Sequence, residues 1–496
     1  MQKLIAKSRQ LIAILTMISV KNFVLFLCFF YATKVVAQDS TFHNSTLNLQ
    51  KCVELAINNN LAVSQSALVA QRANIGYNQA KLNLLPNLGA NVQQGLNQGR
   101  SIDPFTNAYL NQQINYTNYA LGGSIVLFNG FALWNTIKQN LLAFQASKQE
   151  LQQQKDNLTL NVILSYLQIL NNQELVNQSK NQAAVTQEQI RRSDILNKDG
   201  AIAPYQLADL KGQLSNDSLS IINNQNNLEA AKVVLSQYMN VPYQKQQSFE
   251  PLNAEQLSSS YNNNPDAIYQ AALEQLSLVK ASNLRTKSAA KAVSSARGYL
   301  YPTLSLNAYL YTNYSSAASR SIFTDSARVA TNDYVNLQNG TKSYVITNQN
   351  DYRQEKISYQ DQFKNNYNSA ITIGLQIPIF TNWVARNRIA LAKIDLKNAQ
   401  LVEQTTRIQL KQSVEQAFFN MTAAFSRYQT LQSQVNSYQE SFKATEVKFN
   451  AGVGTSVDYT IAKNKLDAAN INLISARYDY VLRMKILDYY QGKLNW

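Results

Sequence analysis

The sequence predicts an α+β membrane protein in which each chain supplies four membrane-crossing β-strands and two antiparallel coiled-coil hairpins about 100 Å long. Three observations predict it. First, an Ala-, Gln- and Leu-rich helical run stops at Pro86, where Leu88, Ala90 and Val92 begin to alternate with Asn87, Gly89 and Asn91. That is the two-residue period of a strand. The switch recurs at Pro302, where Leu304, Leu306, Ala308 and Leu310 alternate with Thr303, Ser305, Asn307 and Tyr309. Second, Leu410, Val414, Ala417, Met421, Ala424, Tyr428, Leu431, Val435, Tyr438, Phe442, Thr445 and Phe449 step by four and three without a slip, as a coiled-coil seam does. Third, only 15 Gly and 8 Pro interrupt 496 residues, so the elements are long.

Residues 1–37 read as an export signal. Lys3, Lys7, Arg9 and Lys21 precede FVLFLCFFYA, an apolar run too short to span a bilayer comfortably, and KVVAQD puts Val35 and Ala37 at the small-residue cleavage positions. The mature chain then starts near Gln38, with Met1 or Met17 as initiator. Leu27 before Cys28 is not the small residue that acylation there requires. Loss of Lys3, Lys7, Arg9, Lys21 and Lys34 takes the formal charge from +15 to +10 and leaves Cys52 alone, with no internal disulfide. No later segment has the eighteen continuous apolar residues of a spanning helix.

The mature chain reads as two structural repeats, residues 38–250 and 251–496. The first holds a helix (Leu61 to Leu84), a strand hairpin (86–128), a long helical hairpin (130–240) and the start of a polar equatorial connector, Val241 to Asn264. The second holds the rest of the connector, a helix (Pro265 to Arg297), a strand hairpin (302–379) and a long helical hairpin (382–490). Subtracting 252 from six seam positions gives Leu158, Val162, Ile169, Val176, Ala183 and Ile190, all apolar. Pro302 lies only 216 after Pro86, so the second copy gains 36 residues between its proline and its next helix.

Each helix is justified by length. Gly130 to Lys198 and Asn382 to Asn450 are both 69 residues, about 104 Å at ~1.5 Å per residue. The shorter helices stack end to end along them. The strands, near Pro86 to Asn97, Asn118 to Phe128, Pro302 to Tyr311 and Ser369 to Ile379, have the length of tilted membrane-crossing strands. Ile371, Ile373, Leu375, Ile377 and Ile379 form an aliphatic face against Thr372, Gly374 and Gln376. Aromatics crowd both ends: Phe128, Phe131, Trp134, Tyr299, Tyr301, Phe380 and Trp383 at one, Tyr116, Tyr119, Tyr311, Tyr314 and Tyr367 at the other. A helix stops at each proline because in lipid only a closed sheet satisfies every strand's backbone groups. Four strands cannot close a barrel, two chains would plug it, and three give twelve strands and room for a pore, so a homotrimer is expected.

Several classes are excluded. One histidine, His43, cannot make a His-based triad or a clustered His metal site. No GxxxxGK[ST] occurs, and GVGTSV lacks the third glycine and preceding strand of a dinucleotide loop. The reading is therefore no enzyme and no cofactor. Charge is spread along the chain without a reader motif, which argues against nucleic acid. The alternative is an exported structural coiled-coil surface protein without channel activity. The basic run Lys280, Arg285, Lys287, Lys291 and Arg297 is a solvated helix face or, with Arg386 and Arg388 just after Trp383, a contact with phospholipid headgroups at the inner leaflet, the stems snorkelling along apolar surface.

The stretches LNLQKCVELAINNNLAVSQSALVAQRANIGYNQAKLNLLPNLG, IVLFNG, LQIPIF and KFNAGVGTSVDYTIAKNKLDAA resemble the recurring motifs of the TolC family of outer-membrane efflux proteins. The resemblance implies a trimeric twelve-strand barrel continued by an α-helical periplasmic tunnel. That tunnel docks on a periplasmic adaptor (membrane fusion protein) and an inner-membrane RND, ABC or MFS-type pump, exporting small molecules or proteins. It implies adaptor contact at the hairpin turns, Gly200, Ala201, Ile202 and Ala203 and Gly452, Val453, Gly454 and Thr455. The glycines there either pack an adaptor tip or simply end helices as C-caps. It also implies a periplasmic acidic gate at Asp458, which otherwise is a first-turn residue favoured by the helix dipole. The family's second acidic position is Ile461 here, and Phe449, Gly454 and Gln206 stand where its locking tyrosine, arginine and aspartate are expected.

Overall fold

The computed structural model describes residues 46–102, 107, 109–251 and 264–493. The signal segment, His43 and the part of the connector at 252–263 lie outside them. The described residues fall into two units: 46, 47 and 246–250 belong to the first, and those within 48–245 and from 251 onward to the second. In the described part of the first, Leu47 and Phe249 make a parallel bridge, the Leu47 amide donating to the Ser248 carbonyl and the Glu250 amide to the Leu47 carbonyl, both at 3.0 Å.

The second unit follows the repeat. Helices α1 (Leu49–Asn59) and α2 (Leu61–Leu82) precede β1 (Asn87–Asn97). Helices α5 (Pro265–Gln275) and α6 (Ser277–Gly298) precede β5 (Thr303–Ser315) with the same offset of 216. The helix expected over Pro265 to Arg297 is therefore two. Leu276 breaks it with extended backbone (φ −68°, ψ 130°), as Asn60 does between α1 and α2 (φ −71°, ψ 123°). At Asn60 the break is legible, because its side chain accepts from the amides of Ala62 and Val63 and caps α2. Leu276 has no such side chain.

Strands β4 (Ile114–Asn129) and β8 (Asn368–Gln376) complete a four-stranded antiparallel sheet in the order β1-β4-β5-β8. Its register separates two faces. Leu88 lies opposite Gly123, Gly123 opposite Ala308, and Ala308 opposite Ile371; one step along, Ile125, Leu306 and Ile373 align. The intervening positions align Ser124, Asn307 and Thr372 with Asn87. Because opposed residues share a face, one side of the sheet is aliphatic across all four strands and the other is polar.

The connections between strands are more ordered than a loop. β2 (Arg100–Ile102) and β3 (Tyr109–Asn111) pair in the first copy. In the second, β6 (Ser319–Asn336) and β7 (Lys342–Lys356) form a two-stranded ribbon, and α7 (Tyr359–Asn365) leads into β8. The 36-residue gain lies here, beyond the end of the sheet remote from α6.

Two long helices follow, α3 (Ala132–Lys198) and α8 (Val384–Asn450), each of 67 residues. They are two residues shorter than the sequence suggests because the residues before them form the strand-to-helix turn. Both members of each turn are left-handed, Gly130 and Phe131 (φ 61° each) and Asn382 and Trp383 (φ 48° and 61°). All twelve expected positions of the α8 seam are buried or half-buried. The partners are α4 (Pro204–Met239) and α9 (Ser456–Tyr490). α9 runs antiparallel to α8, the Tyr480 ring packing on Phe425 at 5.1 Å and the Tyr459 ring on Phe442 at 5.4 Å. The division into repeats at 250/251 is a reading of sequence symmetry; compactness does not separate the copies, since α6 packs on both α3 and α8.

Candidate functional site

The turns α3–α4 and α8–α9 lie at one end of the second unit. In each, the helix ends in a Schellman motif around a left-handed glycine. The amides of Ala201 and Val453 reach back to the carbonyls of Leu196 and Lys448 at 2.8 and 3.1 Å, past Gly200 (φ 70°) and Gly452 (φ 71°). Both glycines are thus C-caps. Gly454 has an ordinary φ but a close approach: a Cβ there would lie 3.0 Å from the Phe449 amide nitrogen. Gly200, Ala201, Gly452, Val453 and Thr455 are exposed, and Ile202, Ala203 and Gly454 are half-buried.

The Thr455 hydroxyl caps α9 by accepting from the Asp458 amide at 3.1 Å and donates to the Asp458 carboxylate at 2.7 Å. Asp458 is exposed and the helix-terminus role is present in its geometry.

Above the turns the two hairpins meet. Phe449, Tyr459, Ile190, Leu207 and Leu210 make one buried cluster, the rings of Phe449 and Tyr459 5.2 Å apart. Phe449 therefore sits in an apolar seat, where a hydrogen-bonding side chain is not needed. Burial pushes the Tyr459 phenol above its ordinary pKa, and its hydroxyl has no partner among the described residues. At the edge of the cluster the Ser456 hydroxyl meets Asp209 at 3.2 Å. Gln206 is half-buried beside Leu207.

One turn further along α9, Lys463 is 2 % exposed. Its ammonium lies 3.2 Å from the Asp217 carboxylate of α4 and also pairs with Asp467. Asp217 in turn accepts from Thr186 of α3 and, at 2.9 Å, from Gln213, while Asn464 donates to Gln213 at 3.2 Å. Burial raises the Asp467 carboxyl above its ordinary pKa, and the Lys463 ammonium opposes the rise. Removing one partner of such a cluster leaves an uncompensated buried charge. Sequence reasoning missed these residues: Lys463 and Asp467 look like an ordinary i,i+4 surface pair, and Asp217 is 246 positions from Lys463.

The described helices include none long and apolar enough to cross a membrane. The aliphatic face of the sheet is the large apolar surface. Ile371 is 77 % exposed, and the aromatics Phe128, Phe131, Trp134, Tyr299, Tyr301, Phe380 and Trp383 are all exposed at the helix end of the strands. At the far end, Tyr119 and Tyr314 pack against α7 residues Phe363 and Tyr359.

Comparison with known proteins agrees with this geometry. The chain is 22 % identical over 451 residues to the outer membrane protein TolC of Salmonella enteritidis, covering 90 % of this chain and 82 % of that one. It superposes on the Campylobacter jejuni CmeC outer membrane channel with a TM-score of 0.69 at 18 % identity, covering 90 % of this chain and 85 % of that chain. On the outer membrane protein VceC of Vibrio cholerae the TM-score is 0.70 at 12 % identity, with 90 % and 96 % covered. The pattern of the outer membrane efflux protein family matches residues 52–241 and 268–488, taking in the four-stranded sheet and both long helical hairpins, so the chain belongs to that family of outer-membrane efflux channels, its sheet in the outer membrane and its helices in the periplasm.

Proposed function

We propose that three copies of the chain close one barrel, β1 of each against β8 of the next, and that the helical hairpins continue it as a tunnel. The observation that carries this is the sheet: one aliphatic face, one polar face and two open edges. Unpaired backbone groups at those edges are not tolerated in lipid, four strands are too few to close, and twelve enclose water. In this reading the duct takes small molecules or proteins from a periplasmic adaptor and an inner-membrane RND, ABC or MFS-type pump. The family's chemistry is conduction, and the chain is assigned no catalytic role. Cysteine pairs scanned along β1 and β8 should crosslink the detergent-extracted protein to a ladder ending at trimer, and the trimer should conduct in planar bilayers. A photo-crosslinker at Val453 should capture an adaptor in intact cells. A folded monomer without conductance would sink the architecture, and an uncrosslinked Val453 in exporting cells the docking site.

The periplasmic end is held shut, in the same reading, by the Phe449–Tyr459 cluster and the Lys463 cluster, which join the α8–α9 hairpin to the α3–α4 hairpin where the family's locking residues are absent. Threefold symmetry then places three Asp458 carboxylates around a narrow mouth, a ring that favours cations. Asp458→Asn is expected to lower cation selectivity and leave thermal stability unchanged. If Asp458 serves only the helix terminus, the same change lowers stability by a few tenths to about 1 kcal/mol and leaves ion selectivity alone. Reversal potentials and a melting curve on one preparation separate the two.

A further inference from the structure

The junction between β8 and α8 carries a cluster that the fold does not require. The Arg386 guanidinium stands 4.4 Å over the Trp383 ring and that of Arg388 4.6 Å over the Tyr299 ring. Both arginines are exposed, and Arg297 at the end of α6 adds a third cation two residues before Tyr299. The ion pairs within α8 are Arg407–Glu403 and Lys411–Glu415, several turns away; among the described residues Arg386 and Arg388 have no carboxylate partner. Beside them is a cleft of about 190 Å³ lined by Tyr299, Leu300, Ile379, Phe380, Trp383 and Arg386. One wall is aliphatic and aromatic, and the rim is cationic.

The cleft continues the membrane-facing surface. Ile371, Ile373 and Leu375 lie on the aliphatic face of β8, which ends at Gln376, and the exposed Ile377 and Ile379, the latter 94 % exposed, follow it in the chain. In the first repeat the positions 252 earlier are Phe131, Trp134 and Thr136 in place of Trp383, Arg386 and Arg388, and the same left-handed turn forms there without any arginine. The arginines are thus not needed to build the junction. Their placement on ring faces, at the depth where strand gives way to water-soluble helix, suits an anionic partner that brings hydrocarbon with it.

We propose that this junction binds an anionic glycerophospholipid of the periplasmic leaflet, its phosphate on Arg386 and Arg388 and an acyl chain along Ile379 and Phe380. Guanidinium is weakly hydrated and presents a planar fork that matches phosphate oxygens. Stacking on Trp383 and Tyr299 holds each fork while its stem lies along apolar surface. Inorganic phosphate shares the charge but gains nothing from the apolar wall.

The chain has three tryptophans, at 134, 383 and 496, so full-length trimer carrying Trp134→Phe and Trp496→Phe reports from Trp383 alone. Reconstituted into vesicles containing either brominated phosphatidylglycerol or brominated phosphatidylcholine at equal mole fraction, Trp383 should be quenched preferentially by the glycerol lipid. Arg386→Gln and Arg388→Gln should each lower that preference about fivefold, and excess inorganic phosphate should leave it intact. Equal quenching by the two lipids in the parent protein overturns the proposal, and that comparison decides even if a Gln variant fails to assemble. A preference abolished by inorganic phosphate shows an anion site without lipid and overturns the assignment as well.

Discussion

Replacing Lys463 with methionine is expected to destabilise the periplasmic end by about 3–5 kcal/mol. Lys463 is 2 % exposed and holds two carboxylates from two helices. Without it, the buried Asp217 and the half-buried Asp467 lose the cation they share. The strain is relieved by protonating one carboxyl, by parting α9 from α4, or by unfolding the tip. The first is favoured at Asp467, whose carboxyl burial already raises. A raised carboxyl pKa stabilises the fold below the unfolded value and loses that contribution as pH rises through the folded value, so the variant should lose stability as pH rises and partly recover in acid. Conductance supplies the second readout: the variant trimer should open more often than the parent. Removing both acids as well, in a Lys463→Met, Asp217→Leu, Asp467→Leu triple variant, should restore stability, since an apolar replacement of a whole buried ion cluster is commonly neutral. Wild-type melting and wild-type conductance in the single variant would strip the cluster of any role in closure.

Arginine at position 371 should all but abolish assembly in the outer membrane, whereas arginine at position 372 should be tolerated. Ile371 opposes Ala308 near the middle of β5 on the aliphatic face, and Thr372 opposes Asn307 on the polar one. An arginine on the lipid side of a barrel at mid-depth costs about 2–4 kcal/mol in each copy. On the polar side its charge stays in water. Semi-native electrophoresis of outer-membrane fractions reads folded trimer directly. Equal yields of the Ile371→Arg and Thr372→Arg proteins would mean that the two faces have been assigned wrongly or that neither meets lipid.

Much of this architecture is legible in sequence because its signals are local and periodic. The proline-marked strands, the seam from Leu410 to Phe449 and the left-handed turns at Gly200 and Gly452 each declare themselves within a few residues. What stayed hidden has physical reasons. Leu276 breaks a helix without any residue that prefers to do so. In β6 and β7 both faces are exposed, so residues such as Asp325, Ser326 and Asn350 give no contrast between faces, and shifts in register at Thr324 and between Ala330 and Tyr334 blur what alternation there is. The lower part of α3 buries Gln182, Thr186, Gln189 and Ser193, polar side chains that read as a solvent face. The Lys463 cluster depends on contacts between helices far apart in the chain. No local pattern encodes such a site.

The ribbon formed by β6 and β7 also marks where the two copies within this chain differ in length. The two copies keep an offset of 216 up to β5 and of 252 from α8 onward, so the difference in length between them has collected in the connection between two strands. An insertion within α8 would throw every later heptad position off its partner, and one within β8 would send its aliphatic residues to the wrong face. At the turn from Leu337 to Thr341, closed by a 2.9 Å hydrogen bond between them, added residues disturb neither. Evolution is therefore expected to rewrite this chain from its outer tip, the part an antibody meets on an intact cell. The same turn is the place to graft a foreign epitope.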